Sequence, residues 1–68
     1  MMSKIRVRLI YLPLRDAVGI WGDSGLLGYW RAGGSFEWLP GKGARVDVLA
    51  CRRVLDRGRA RKREGEIA

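Results

Sequence analysis

The chain has 68 residues, with 14 lysines and arginines against 7 acids and a formal charge of +7. One domain at most fits that length. There is no histidine, and only one cysteine, which argues against a metal site, a serine–histidine or cysteine–histidine nucleophile pair and a disulfide framework.

The N-terminal stretch alternates over residues 4–12. Ile5, Val7, Leu9 and Tyr11 fall on one face; Lys4, Arg6, Arg8 and Ile10 fall on the other. Alternation with β-branched and aromatic side chains predicts a half-buried strand. The apolar run Leu9-Ile10-Tyr11-Leu12 is too short for a signal peptide or a membrane span, which need roughly 7–15 and about 20 apolar residues. A reducing, cytoplasmic setting suits a chain with one cysteine. Pro13 ends or edges the strand.

Three short strands are expected next, over 18–21, 26–31 and 35–39. Gly22-Asp23-Ser24-Gly25 and Ala32-Gly33-Gly34 supply the turns between them. Gly28, inside the second of these, marks a bulge or a close backbone approach. Pro40-Gly41-Lys42-Gly43 is another turn, and residues 44–50 alternate again as a fifth strand, with Asp47 expected to face arginines across strands. The period changes at Cys51. Cys51, Val54 and Leu55 sit at i, i+3, i+4, so residues 51–57 read as a helix, with Cys51 buried at its junction with the strand. Residues 58–66 read as a fraying helical extension or a tail. Gly58 weakens a helix there, and the like-charge pairs Arg57/Arg61 and Arg59/Arg63 oppose one until an anionic surface neutralises them.

The predicted fold is therefore mainly β. It is a small antiparallel barrel or bent sheet of about five strands, of SH3-like or OB-like size, with a C-terminal helix. An α+β arrangement, with the helix across an open sheet, is the alternative. Residues 1–57 form one domain and 58–68 a basic extension.

Charge and aromatics carry the functional expectation. Residues 51–68 hold a net +4 and residues 1–50 a net +3. Arg52, Arg53, Arg57, Arg59, Arg61, Lys62 and Arg63 form an anion-binding candidate, since the guanidinium fork matches phosphate or carboxylate. A solvated basic tail is the bland counterpart. Lys4, Arg6 and Arg8 space cations about 6.6 Å apart along one strand, near the phosphate spacing of an extended strand of nucleic acid, although lysine and arginine also guard sheet edges. Trp21, Phe36 and Trp38 are expected to build the core. Tyr29 or Trp30 is the expected exposed anchor.

Other motifs offer less. The Gly-Asp-Ser-Gly tetrapeptide is a turn, with no base to activate Ser24, and the glycine–lysine turn lacks phosphate-loop spacing. Cys51 is flanked by Arg52 and Arg53, which favours thiolate, yet a small buried apolar role fits it better. The expectation is a non-enzymatic binding module without cofactor or metal. Its partner would be nucleic acid, or a nucleoprotein or acidic protein surface, with self-association as an option. The alternative is a small effector, of the type phages and mobile elements encode, that plugs a large host protein machine.

Overall fold

The computed structural model describes residues 6–67, with side chains through residue 65. Lys4 and Ile5 of the first predicted strand lie outside the described residues. Four strands and one helix follow one another: β1 (Arg8–Leu12), β2 (Ala17–Gly22), β3 (Gly25–Arg31), β4 (Phe36–Trp38) and α1 (Val48–Ile67). Each strand pairs antiparallel with the next, giving the order β1-β2-β3-β4.

The sheet is open, with β1 and β4 as its two edges. This corrects the expected barrel of about five strands. The molecule is α+β, the arrangement weighed as the alternative. The predicted fifth strand is missing for a local reason. Residues 42–47 do keep the alternation, and Ala44 and Val46 are half-buried against the core while Arg45 and Asp47 are exposed. This extended segment has no ladder partner among the described residues. Asp47 then ends it by capping α1 rather than facing arginines across strands. Its carboxylate Oδ1 accepts the Leu49 N–H at 3.0 Å, and its carbonyl accepts the Cys51 N–H at 3.1 Å. An aspartate in this position satisfies a donor that the first helical turn leaves open. The helix therefore begins three residues before the predicted start.

Register assigns the faces. Leu9 opposes Ile20, Tyr11 opposes Val18, Val18 opposes Trp30, and Trp30 opposes Phe36. These side chains share the face that α1 covers. Val18, Ile20, Leu27, Trp30, Cys51 and Leu55 make one buried cluster, edged by Tyr11, Phe36, Trp38 and Val54. Phe36 and Trp38 stack in parallel, with ring centroids 5.3 Å apart.

One irregularity matters. The register shifts between Ile20, opposite Gly28, and Trp21, opposite Leu26. Leu27 is thus an extra residue on β3, and the bulge turns it into the core. Gly28 beside it is pressed against Trp38 and the Glu37 carbonyl, leaving no room for a Cβ. Both expectations for Gly28, bulge and close approach, are met. The β3–β4 turn uses Gly33 (φ 109°) and Gly34 (φ 93°), backbone angles that side-chain-bearing residues rarely adopt.

Helix α1 runs unbroken through Gly58. At about 1.5 Å per residue its 20 residues span about 30 Å, longer than the sheet it crosses. The molecule is accordingly elongated, 48 × 23 × 21 Å. No described helix is long and apolar enough to cross a membrane.

Candidate functional site

The basic helix is pinned to the sheet at one point. The Arg59 Nε donates to Asp16 Oδ1 at 3.0 Å, and a terminal guanidinium nitrogen donates to Oδ2 at 2.7 Å. The Tyr11 hydroxyl donates to the same Oδ1 at 2.7 Å. Asp16 sits in the β1–β2 turn at φ 49°, a left-handed conformation that aspartate tolerates better than most residues. The Arg59 guanidinium, and next the Tyr11 hydroxyl, hold the Asp16 carboxyl down at about 2, and the pairing in turn raises Arg59. Arg59, one of the candidate anion contacts, is thus already occupied by a carboxylate of its own chain.

The other candidates on α1 behave differently. Arg52, Arg53, Arg57, Arg61, Lys62 and Arg63 are all exposed, and none makes an ion pair among the described side chains. At 100° per residue they do not line one stripe. Arg52 and Arg63 flank the buried stripe on the Arg59 side, and Arg57 and Arg61 on the other. Lys62 lies one turn beyond Gly58, past the point where Tyr11 meets the helix. Residues 59–65 are exposed on every side, so the end of α1 overhangs the β1–β2 turn as a cationic rod.

A second charged surface lies on the sheet face away from α1. Register puts Arg8 opposite Trp21, Gly19 opposite Tyr29, and Tyr29 opposite Glu37. Arg6 and Arg8 are exposed, while Lys4, the third expected cation of this strand, lies outside the described residues. A groove of about 540 Å³ runs here, lined by Arg6, Val7, Arg8, Trp21, Gly22 and Asp23. Arg15 holds its guanidinium 4.6 Å above the Tyr29 ring centroid, a cation–π contact. Arg31 pairs with Glu37 at 3.5 Å.

The aromatic assignments need one exchange. Trp30, taken from the sequence as an anchor candidate, is 1% exposed and packs at the centre of the core. Its indole N–H is buried without an acceptor among the described residues. Tyr29, the other candidate, is on the open face and half-buried. Trp21, expected in the core, is also half-buried on the open face. The signal was present: strict alternation from Val18 and Ile20 puts Trp21 on the far side, and Gly19, two residues before it, clears a floor for the ring. A Cβ at Gly19 would run into the six-membered ring of Trp21. The far edge of the indole therefore reaches over Gly19, where only a residue without a Cβ leaves it room.

Cys51 is fully buried, as expected, and burial, with the nearby Asp47 charge second, pushes its thiol up. The neighbouring Arg52 and Arg53 do not offset that. Asp23 and Ser24 form the exposed two-residue turn between β2 and β3. The arrangement offers two cationic surfaces and, on the open sheet face, two half-buried aromatic rings. No protein-family model, curated protein or solved structure matches the chain.

Proposed function

We propose that the protein is a non-catalytic module that binds nucleic acid, gripping the phosphate backbone with the overhanging end of α1. The observation that carries this reading is the set Arg61, Lys62 and Arg63 at the free end of the helix, with Arg57 beside the crossing point, all exposed and outside any ion pair among the described side chains. Guanidinium and ammonium groups held on a rigid rod in excess over its acids gain most from a densely anionic polymer that releases its own counterions on binding. Arg59 serves a different end: its pairing with Asp16 fixes the rod to the sheet.

The test is a salt titration with a labelled duplex. With four to six phosphate contacts, log K falls against log salt with a slope of roughly −4 to −5. Replacing Arg57, Arg61, Lys62 and Arg63 together by Gln, and leaving Arg59 in place, flattens the slope by up to about 3.6 without loss of the circular-dichroism signal. A duplex affinity indifferent to salt and to these substitutions would refute the reading.

The alternative, an effector that docks on a protein machine, draws on Leu14. This side chain stands fully exposed at the tip of the β1–β2 turn, and Leu49 is exposed as well. A defined protein partner that stays bound after nuclease treatment, and is lost on Leu14→Ser, would favour it.

A further inference from the structure

Four features of the open sheet face converge on one ligand chemistry. Trp21 reaches over Gly19 on this face, half-buried, and lines the groove beside Arg6 and Arg8. Arg8 stands directly opposite Trp21 on β1, and Arg6 joins it along the groove. Gly19 is also the cross-strand partner of Tyr29, so the ring lying over Gly19 sits beside the tyrosine. Arg15 already rests on that tyrosine. Cations and rings thus share this face of β1, β2 and β3, with Ile10 exposed among them and Asp23 at the groove's end.

We infer that this face is a platform for single-stranded nucleic acid, with a base stacked on the exposed part of Trp21 and the adjoining phosphates on Arg6 and Arg8. The inference rests on the nucleic-acid reading above and adds a second surface with its own preference. A duplex keeps its bases stacked on each other and offers no free base to a flat indole. An unpaired strand offers both the base and the phosphate next to it. The cations select against an acidic-residue-poor protein surface and for a polyanion. The groove beside the ring, about 540 Å³, gives room for the sugar and phosphate. Arg15 on Tyr29 shows the same ring face accepting a planar cation, the kind of stacking a second base would exchange for or extend.

The test compares the whole protein and its variants on two probes, an oligothymidylate strand of about 12 nucleotides and a blunt duplex of the same length. Trp21→Leu keeps an apolar cover over Gly19 and removes the stacking plane. The expected result is about a tenfold loss on the single strand with less than about a twofold change on the duplex. Binding of the strand also quenches tryptophan emission in the parent and much less in the variant. Arg8→Gln, an exposed change that leaves the sheet intact, lowers the salt slope on the single strand by about 1. This second variant decides the matter should Trp21→Leu fail to fold. Equal losses on both probes with Trp21→Leu, or none on the single strand, would overturn the platform. If the four-residue helix variant binds the duplex as the parent does while Trp21→Leu loses the single strand, the platform stands and the helix reading falls. If neither probe binds the parent, both fall.

Discussion

Gly58 lies against the side chain of Tyr11, and a Cβ placed on it would strike the ring at its root. The glycine that weakens α1 as an isolated helix is the notch through which the helix crosses β1. Because the contact involves Cβ, Cγ and Cδ2 of Tyr11 rather than a flexible tip, neither partner can step aside. Gly58→Ala is therefore expected to destabilise by about 1–3 kcal/mol, against its better helix propensity. Gly65, in the same helix, has open space where its Cβ would go. There Gly65→Ala is expected to stabilise by roughly 0.5 kcal/mol. Urea unfolding of the two single variants, which separates opposite signs for one chemical change, checks the crossing point.

Asp16 supplies the other half of that attachment. Its carboxyl titrates at about 2 in the folded protein against an ordinary value of 3.8. A lowered folded-state pKa binds fewer protons than the unfolded chain does, so the contribution is complete above pH 3.8. It is lost as the pH falls through about 2. Asp16→Asn keeps the size and tolerates the left-handed backbone, but abolishes the charge. Thermal melts are expected to show the parent above the variant at neutral pH, with the gap closing between about pH 4 and pH 2. A gap that persists in stronger acid would mean the stabilisation does not come from the ion pair. The side chains are half-exposed, so added salt should also narrow the gap.

How much of this was legible can be seen in three places. Period-two alternation located the hairpin strands because one face of the sheet is covered and the other is not, which is the condition that makes the pattern visible. The same alternation misled at residues 44–50. There residues 44–47 are extended without a neighbouring strand among the described residues, and residues 48–50 open α1. Pattern reports burial, and it does not report hydrogen-bond partners. Asp47 followed by Cys51, Val54 and Leu55 marks the helix start as a cap before a stripe, a signal that the overlapping alternation masks. The attachment of α1 had no sequence signal at all. Tyr11, Asp16, Gly58 and Arg59 meet only because the helix crosses β1 at one residue, a distance of more than 40 positions along the chain for Arg59.

The exchange of Trp21 and Trp30 gives a contrast that can be measured. Trp30 fills the centre of the core, touching both the sheet partners Val18 and Phe36 and the cluster that includes Cys51 and Leu55. Removing so large a buried side chain costs about 3–5 kcal/mol. A domain of this size commonly has about 3–10 kcal/mol in total. Trp30→Ala is therefore expected to leave the protein largely unfolded by circular dichroism at room temperature. Trp21→Ala, on the open face, is expected to cost about 1 kcal/mol and to stay folded. The reverse outcome would mean that the two faces of the sheet have been exchanged, and the platform with them.

Cys51 provides an optical report on the core that needs no engineered probe. The thiol is wholly buried between α1 and the sheet, and burial raises it above its ordinary range. Thiolate is the reactive species, so both access and ionisation are suppressed in the folded chain. A disulfide reagent such as dithiobis-nitrobenzoate is expected to label native protein only as fast as the core opens, and denatured protein at once. Because α1 covers the thiol, variants that loosen the helix should label faster in proportion to their loss of stability, Gly58→Ala above Asp16→Asn. Labelling of the native parent at the rate of a free exposed thiol would show that α1 does not seal this face, which would remove the anchor on which the overhanging cationic end depends.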